Sequence, residues 1–291
     1  MIAITGASGN IGGGVARLLA GQGIPLRLLA RDRSRLPQLP GTDAYQAEYS
    51  DRQAMEEALQ GVSTMLLVSG RESQDRLAHH QSAIDAAVAA GVETVVYTSF
   101  AGAAPEATFT LARQHWFTEE HLRRSGMAPV ILRNNLYLDV IPYFPGPDGI
   151  IRGPAADGRL AAVAREDVIE VAAACLLDPA HRGAVYHLTG PESFSFGEAA
   201  AILSEFSGRN IGYYPETVEE AYRSRAVYNA PQFEVEGWVT SYLAVATGEL
   251  AEVSDDVAVV TSHRPVSLRE FLHRHPEAWQ HLTGEAGKSR G

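Results

Sequence analysis

The sequence predicts an α/β fold in which a doubly wound parallel sheet is followed by a smaller C-terminal α/β lobe. Over residues 1–135, short apolar runs alternate with segments of helical periodicity, a pattern typical of parallel strands joined by right-handed crossovers. The apolar runs are continuous, as expected of strands that helices cover on both faces. A chain of 291 residues with 45% hydrophobic and 20% charged residues is long enough to bury such a core.

The order of elements is clearest in the N-terminal half. Strands are predicted at 2–4, 26–29, 64–68, 94–98 and 130–132, with a weaker one at 44–47. A glycine closes each of the helices that follow the first crossover, because glycine readily adopts the left-handed conformation found after a helix. These glycines are Gly61, Gly91 and Gly126.

After about residue 135 the pattern loosens. The segment 143–158, YFPGPDGIIRGPAADG, is rich in Pro and Gly and predicts loops. We divide the chain into residues 1–135, the sheet domain, and residues 136–291, a smaller lobe partly interleaved with the sheet. This lobe is expected to close over the carboxyl edge of the sheet, where open α/β folds bind ligands. Capping boxes predict helix starts at Ser50…Gln53, Ser195…Glu198 and Ser267…Glu270.

Composition argues against several classes of function. A net charge of −11 without a basic stripe disfavours nucleic acid, whose binding requires Lys and Arg against phosphates. Cys175 is the only cysteine and lies on an apolar helical stripe, so we expect a core residue and a reducing, cytoplasmic setting. No apolar run approaches the ~20 residues of a membrane span. The histidines at 79–80 and 273–281 are interpreted as surface residues, and no metal site is predicted.

The motif TGASGNIG at 5–12 is a glycine-rich turn between the first strand and an amphipathic helix. Its three glycines permit a tight turn, close approach of a pyrophosphate and close packing of the helix on the strand. Backbone N–H groups and the positive end of the helix then attract phosphates. A turn that serves only packing is the alternative. We predict a Rossmann domain whose loop binds a dinucleotide through Gly6, Ala7, Ser8, Gly9, Asn10, Ile11 and Gly12.

The residue after the second strand distinguishes NAD from NADP. An acid there suits the ribose 2′-hydroxyl of NAD, whereas an arginine suits the 2′-phosphate of NADP. The first polar residue is Arg31, with Arg33 nearby, so NADP(H) is the predicted cofactor. The alternative is that both arginines are solvated loop residues beside Asp32.

Further cofactor contacts are predicted from topology, because the carboxyl ends of parallel strands line one cleft. Small residues after the fourth strand offer an open surface for a ribose, and Ser99 lies where a nicotinamide ends. Serine after a strand is also a common turn residue. The predicted set at the strand ends is Ser50, Asp51, Val68, Ser69, Gly70, Thr98 and Ser99.

Six segments within residues 1–275 carry a family resemblance: TGASGNIG, LRLLARD, AEYSD, YTSF, LARQHWFTEEHLRRSGMAPVILRNNLYLD and RGAVYHLTGPESFSFGEAAAILSEFSGR. Together they resemble the NmrA-like branch of the atypical short-chain dehydrogenases, in particular its NADPH-dependent quinone oxidoreductase and triphenylmethane reductase type. The resemblance implies a Rossmann domain with a small C-terminal lobe and NADP(H) as ligand. It leaves the activity open, because the branch contains both reductases and non-enzymatic redox sensors.

The Tyr-x-x-x-Lys pair of classical short-chain dehydrogenases is absent from this chain. The single lysine is Lys288, and the residues four positions after Tyr97 and Tyr137 are Ala101 and Ile141. A carbonyl reductase or epimerase mechanism that depends on this pair is therefore disfavoured.

His115 is the leading candidate for a catalytic residue. By helical spacing it shares one face with Leu111, Thr118 and Leu122, an otherwise apolar stripe that should point inward. The resemblance adds that plant-type relatives carry a lysine, and the quinone reductases a histidine, at this position eleven residues before Gly126. The alternative is a core histidine with satisfied hydrogen bonds.

The segment LRNNLYLD leads from the last predicted strand into the lobe. Asn134 and Asn135 are expected to bond the nicotinamide carboxamide, unless they only form a turn, and Leu136 and Tyr137 to wall the substrate. Tyr137 is the second catalytic candidate. Aromatic surface for a flat substrate is expected from side chains that serve equally well as core residues: Phe100, Trp116, Phe144 and Trp238.

These features predict an NADPH-dependent reductase that transfers hydride to a flat, electron-poor acceptor such as a quinone. Such a reaction needs orientation and desolvation more than a strong acid, and the reduced oxygen is protonated by water, His115 or Tyr137. Two alternatives are a redox sensor that binds NADP(H) without turnover and an enzyme of secondary metabolism acting on a polycyclic quinone. The expected partner is a small aromatic molecule, not nucleic acid or membrane, and the chain is expected to be a monomer or homodimer.

Overall fold

The computed structural model describes residues 1–283, so Lys288 lies outside the described residues. Its strands, in chain order, are β1 (Ile2–Ile4), β2 (Leu26–Ala30), β3 (Thr42–Gln46), β4 (Thr64–Leu67), β5 (Thr94–Phe100), β6 (Ala128–Asn134), β7 (Ile150–Gly153), β8 (Arg159–Leu160), β9 (Val185–Leu188), β10 (Phe194–Ser195) and β11 (Gly212–Pro215).

Within the described residues, seven of these strands form one parallel sheet in the order β3-β2-β1-β4-β5-β6-β9. Ile4 of β1 lies opposite Leu28 of β2 on one side and Leu66 of β4 on the other. The strand order therefore reverses at β1, and in such sheets the ligand cleft opens at the carboxyl ends of the strands beside this point. The predicted Rossmann fold is confirmed.

The strands predicted over residues 1–135 are all present, and two of them extend two residues past their predicted carboxyl ends. Strands β5 and β6 pair beyond their apolar runs, with Ser99 opposite Arg133 and Phe100 opposite Asn134. The apolar pattern missed these ends because the polar side chains there are buried among other polar groups. Ser99 and Asn134 thus belong to strands and not to the turns that follow them.

The helices, in chain order, are α1 (Asn10–Gly21), α2 (Arg52–Leu59), α3 (Arg76–Ala89), α4 (Thr110–Arg124), α5 (Arg165–Leu177), α6 (Phe196–Ser207), α7 (Val218–Arg225), α8 (Gln232–Ala246), α9 (Asp256–Thr261) and α10 (Leu268–Arg274). Helices α2, α3 and α4 end just before Gly61, Gly91 and Gly126, whose φ values are +74°, +80° and +83°. These predicted ends are confirmed.

The predicted helix starts are partly confirmed. Capping boxes are formed at Ser195 and Ser267, as expected. The box predicted at Ser50 is wrong, because Asp51 is the N-cap of α2 and its carboxylate accepts the Ala54 N–H at 3.0 Å. A carboxylate one residue later therefore replaces the predicted serine.

The part of the chain after residue 135 contributes to two regions. Strand β9 pairs with β6 and extends the main sheet, and α5 packs against α1, where Ile169 lies over Gly14. The rest forms the lobe, which contains α6, α7 and α8 and two small sheets, β7 with β11 and β8 with β10. The segment 143–158 is therefore not all loop: Ile150–Gly153 forms β7, which pairs in parallel with β11.

Three apolar clusters hold these layers together. One lies between the sheet and helices α1 and α5 and contains Cys175, whose predicted core position is confirmed. The second covers the opposite face of the sheet under α2 and α3. The third fills the lobe. No helix among the described residues is long and apolar enough to cross a membrane.

Candidate active site

The glycine loop joins β1 to α1, as predicted. Gly6 has a φ of +59°, and the Gly9 N–H donates to its carbonyl at 2.9 Å, closing a tight turn. A Cβ on Gly12 would lie 2.5 Å from the Gly6 carbonyl oxygen and 2.6 Å from that of Thr5, so α1 can approach the strand only with glycine there. No side chain caps α1, which begins at Asn10, so its first N–H groups are available to an anion.

Arg31 is exposed directly after β2. Its neighbour Asp32 accepts hydrogen bonds from the Ser34 hydroxyl at 2.6 Å and the Ser34 N–H at 2.9 Å. These bonds lower the pKa of Asp32 below its ordinary value. Asp32 is the acid whose presence argues against NADP. Its carboxylate caps the short 3-10 helix that follows, Arg33–Arg35.

The loops after β4 and β5 lie beside the glycine loop. Val68 N–H donates to Thr5 Oγ1 at 3.1 Å, and Ser69 N–H donates to Thr98 Oγ1 at 2.7 Å. Hydrogen bonds thus bring Val68, Ser69 and Thr98 together with the end of β1, and Gly70 follows in the same loop. Their predicted contact with a cofactor stays a prediction that this arrangement supports.

Two of the predicted polar contacts have other partners. Asp51 caps α2, and Ser50 precedes it. The hydroxyl of Ser99 donates to Glu119 Oε1 at 2.6 Å within the buried interior. The side chains of Asp51 and Ser99 therefore have partners within the fold, and their predicted contact with a cofactor stays a prediction.

Asn134 and Asn135 are both buried but differ in their partners. Asn135 donates to the Leu250 carbonyl at 3.0 Å and accepts the Leu136 N–H at 2.8 Å, so its amide has partners within the fold and its carboxamide contact stays a prediction. Asn134 Nδ2 donates to the Tyr137 hydroxyl at 3.2 Å, while its buried Oδ1 has no partner among residues 1–283. An unpaired buried acceptor is costly, and this oxygen fits an amide N–H donor such as a nicotinamide carboxamide.

A cavity of about 800 Å³ lies between the first turn of α4, the segment after β6 and helices α7 and α8. Most of its lining is aromatic or aliphatic: Phe109, Leu111, Leu136, Val140, Tyr143, Phe144, Ile150, Phe196, Tyr228, Trp238 and Tyr242. Such a lining suits a flat apolar ligand, whose faces are desolvated against aromatic rings.

The charged groups in this lining are largely neutralised by partners. Arg225 is buried and lies 2.7 Å from Glu216, and Arg152 lies 2.5 Å from Asp148. Burial raises the pKa of Glu72, the acid that lines the cavity. No group of three or more His, Cys, Asp or Glu side chains within residues 1–283 is arranged to hold a metal ion.

The aromatic residues proposed for the substrate site divide into two groups. Phe144 and Trp238 line the cavity. Trp116 does not, because its ring faces the guanidinium groups of Arg123 and Arg133, 5.6 and 5.9 Å from its centroid. Phe100 packs edge-on against Phe109, with ring centroids 5.0 Å apart.

Tyr137 does not line the cavity, although its neighbour Leu136 does. Its hydroxyl accepts from Asn134, and the Arg165 guanidinium lies 5.0 Å from its ring centroid. Burial raises the pKa of Tyr137. Neither Tyr137 nor His115 is among the residues that line this cavity, and their predicted roles at the substrate stay predictions.

His115 lies on the buried face of α4, one turn after Leu111, as its spacing predicted. Its Nδ1 is 2.8 Å from the hydroxyl of Tyr97, and its Nε2 has no hydrogen-bond partner among the described residues. Burial, followed by the charge of nearby Arg76, lowers the pKa of His115 well below its ordinary value. The imidazole is therefore neutral near pH 7, with one ring nitrogen protonated and the other carrying a lone pair.

Several residues of this region escaped the sequence reasoning. His80, interpreted above as a surface residue, is only 1% exposed and hydrogen-bonds the loop after β4. Trp238 and Tyr242 have helical i, i+4 spacing, a signal that α8 presents one aromatic face to the cavity. Arg225 and Glu216 carry no sequence signal, because their pairing depends on the fold of the lobe.

A family model described as NAD(P)H-binding matches residues 6–179, which include the glycine loop and the strands that line the cleft. The chain belongs to this NAD(P)H-binding family. Among curated members of comparable length, it is 32% identical to quinone oxidoreductase 2 of Escherichia coli over 94% of this chain and 97% of that one. It is 31% identical to (4-alkanoyl-5-oxo-2,5-dihydrofuran-3-yl)methyl phosphate reductase of Streptomyces griseus, over 96% of this chain and 99% of the other.

Solved structures agree with this family assignment. The NADPH complex of the Escherichia coli NADPH-dependent quinone oxidoreductase superposes with a TM-score of 0.87 at 30% identity, covering 94% of this chain and 99% of the other. Triphenylmethane reductase of Citrobacter sp. with NADP(H) gives 0.85 at 28% identity, over 94% and 99%. The negative transcriptional regulator NmrA shares the fold, with a TM-score of 0.77 at 17% identity over 97% of each chain.

These comparisons confirm three expectations for this member of the NAD(P)H-binding family. The NmrA-like resemblance is confirmed by relatives and neighbouring structures, and NAD(P)(H) binding by the family model. The class of NAD(P)H-dependent oxidoreductase is confirmed at the level of the family.

Proposed function

We propose that the protein is an NADPH-dependent reductase that transfers hydride to a flat, conjugated carbonyl acceptor, with quinones as the model substrate class. The observation that carries the proposal is the aromatic cavity of about 800 Å³ that begins at Leu136, two residues after the unpaired Oδ1 of Asn134. A nicotinamide held at Asn134 and an acceptor held in the cavity are then neighbours at the carboxyl edge of the sheet.

The residues present fit a dinucleotide. The glycine loop and the first turn of α1 would hold the pyrophosphate, Arg31 the 2′-phosphate, the loop after β4 the ribose and Asn134 the carboxamide. When bound, NADPH supplies the hydride. The protein supplies position and the exclusion of water, which are the main requirements of direct hydride transfer.

Two features support a conjugated acceptor: the aromatic walls of the cavity and the absence of a Tyr-x-x-x-Lys pair. Aromatic walls favour a planar π system over a flexible ketone, and the Tyr-x-x-x-Lys pair that would polarise a simple ketone is missing. Two relatives are named for quinone and for alkanoyl-dihydrofuranone reduction, and both named substrates are conjugated carbonyl compounds. Such acceptors delocalise the charge that hydride brings, so a strong acid is not needed.

His115 would assist by donating a hydrogen bond to the reduced oxygen. Because its pKa is well below the ordinary value, it is neutral and stabilises the oxyanion through its N–H, while water provides the proton. Hydride addition to a quinone gives a hydroquinone monoanion, which this proton converts to the neutral hydroquinone.

The direct test is NADPH oxidation by the purified protein with a panel of simple and polycyclic quinones. Turnover that is faster with NADPH than with NADH supports the proposal. Tight NADPH binding without oxidation by any member of the panel contradicts it and favours the redox sensor. That alternative is favoured by the absent Tyr-x-x-x-Lys pair and by a fold shared with a transcriptional regulator.

Replacement of His115 by Ala is expected to lower kcat about tenfold, equivalent to one hydrogen bond made mainly in the transition state. The KM for NADPH should change less than twofold. His121→Ala is the matched control, since His121 lies on the same helix and bonds only Asp85 near the surface. Equal kcat values for the two variants would assign His115 to packing alone.

Replacement of Arg31 by Ala is expected to raise the KM for NADPH about 30-fold and to leave that for NADH unchanged. The estimate corresponds to the loss of a charge-assisted contact with the 2′-phosphate. Arg35→Ala is the control, an exposed arginine of the same loop. A similar rise for both cofactors, or for both variants, would contradict the assignment of Arg31.

A further inference from the structure

A buried chain of polar side chains leads to His115, and its members other than His115 have no role in the reaction proposed above. It joins the loop after β4 to α4 through His80 of α3 and Tyr97 of β5. Each of its hydrogen bonds has a direction that can be derived, beginning from a backbone N–H.

The hydrogen bond from Gly70 determines which ring nitrogen of His80 carries the proton. The Gly70 N–H, which can only donate, points to His80 Nε2 at 2.8 Å, so this nitrogen is an acceptor. Burial, followed by the charges of Arg76 and His79, lowers the pKa of His80 to about 3. The imidazole is therefore neutral, and its one proton is on Nδ1.

The proton on His80 Nδ1 takes part in a hydrogen bond to α4. His80 Nδ1–H donates to Thr118 Oγ1 at 3.0 Å, and the Thr118 hydroxyl donates in turn to the Gln114 carbonyl at 2.8 Å. His80 Nδ1 is also 3.5 Å from the Tyr97 hydroxyl. Because this nitrogen carries a proton, it cannot accept one from Tyr97.

The Tyr97 hydroxyl determines which ring nitrogen of His115 carries the proton. Tyr97 is fully buried, and burial raises the pKa of its hydroxyl, which therefore keeps its proton. Its short hydrogen bond among the described residues is to His115 Nδ1, at 2.8 Å. Of the two ring nitrogens within reach of the Tyr97 hydroxyl, only His115 Nδ1 is free to accept, because His80 Nδ1 carries a proton. Tyr97 is therefore assigned as the donor to His115 Nδ1, which places the proton of neutral His115 on Nε2.

We propose that His80 and Tyr97 are positioning residues that hold His115 in the Nε2–H tautomer, so that this N–H, which has no partner among residues 1–283, is available to the oxygen of the acceptor. The inference deepens the proposed function and rests on it for the role of His115, whereas the tautomer assignment rests on the burial and hydrogen-bond geometry of His80, Tyr97 and His115. The loop that carries Gly70 is also the predicted ribose contact, so the orientation of His115 is tied to the backbone of the cofactor cleft.

The charged groups around this chain oppose protonation of either imidazole. Arg76 of α3 is only 3% exposed and adds positive charge beside both histidines. Glu72, whose carboxylate faces Arg76, and Glu119 of α4, which faces Tyr97, are the nearby acids. Glu119 is paired with Arg133, and neither acid hydrogen-bonds His80 or His115.

The tautomers are measured by ¹⁵N–¹H correlation spectra of the full chain labelled at its 10 histidines. His115→Gln and His80→Gln assign the two spin systems. We expect the Nε2–H form for His115 and the Nδ1–H form for His80 at pH 7. An Nδ1–H form or an imidazolium at His115 overturns the inference whether or not the protein reduces quinones.

The positioning role is tested by Tyr97→Phe, which removes only the hydroxyl. We expect His115 to lose its single tautomer and kcat for quinone reduction to fall about fivefold, the equivalent of one neutral hydrogen bond. The KM for NADPH should stay within twofold. His80→Gln keeps an acceptor for Gly70 and an N–H for Thr118 and should retain more kcat than His80→Leu.

Two outcomes separate the inference from the function. If wild-type protein reduces no quinone but His115 is in the Nε2–H form, the proposed function fails and the tautomer assignment stands. If quinones are reduced and Tyr97→Phe changes neither the tautomer nor kcat, the positioning role is overturned and the function stands.

Discussion

Gly12→Ala is expected to abolish tight binding of NADPH. A Cβ at this position would lie 2.5 and 2.6 Å from the carbonyl oxygens of Gly6 and Thr5, both of which are main-chain atoms that cannot rotate away. Helix α1 must then move off β1, and its first N–H groups leave the position required by a pyrophosphate. We expect the Kd for NADPH to rise about 100-fold and the free energy of unfolding to fall by about 3 kcal/mol.

Gly21→Ala in the same helix is the control for this prediction. A Cβ on Gly21 meets no atom within 4 Å, and alanine favours a helix over glycine by about 0.5–1 kcal/mol. Calorimetric titration with NADPH and urea unfolding should therefore separate the two variants clearly. Unaltered NADPH affinity in Gly12→Ala would show that the loop does not depend on close approach of α1.

Glu119→Gln is expected to lower the free energy of unfolding by about 3–5 kcal/mol, because it leaves a largely buried cation without its partner. Glu119 is completely buried, accepts both Nε and NH2 of Arg133 at 3.0 and 2.7 Å, and accepts the Ser99 hydroxyl. Arg123 adds a further bond at 3.0 Å. An amide in place of the carboxylate removes the negative charge and places its NH2 group opposite the N–H donors of the arginines.

Glu120→Gln tests whether the effect depends on burial. Glu120 neighbours Glu119 on α4 and pairs with Arg123 and Arg124, but it is partly exposed, and Arg124 largely so. Such exposed pairs contribute about 0.2–1 kcal/mol. Urea unfolding at equal ionic strength compares the variants, and equal losses of stability would contradict a special role for the buried pair.

The fold was predictable where its signals are local. The glycine loop, the apolar strands and the glycines after helices each depend on neighbouring residues, and all were found at or near their predicted positions. The cap of α2 was displaced from Ser50 to Asp51 because either residue type is a good N-cap, and the backbone path of the loop decides between them. Sequence periodicity does not distinguish between two N-cap positions that are one residue apart.

The candidate site was predictable only in part, for a physical reason. His115 was found because its helix face can be counted, but the partner that fixes its proton, Tyr97, lies on another element. Nothing local indicates that Asn135 donates to the carbonyl of Leu250, 115 residues away. Asn134 and Asn135 thus differ in their hydrogen-bond partners, which only the tertiary structure defines.

The interleaving of lobe and sheet has a consequence for how such proteins diversify. The walls of the cavity come from the segment after β6 and from α7 and α8, while the intervening α5 and β9 complete the sheet. The lobe therefore cannot be exchanged as a module without also removing an outer strand and a covering helix. Replacement of single residues in the cavity wall, by contrast, leaves β9 and α5 in place.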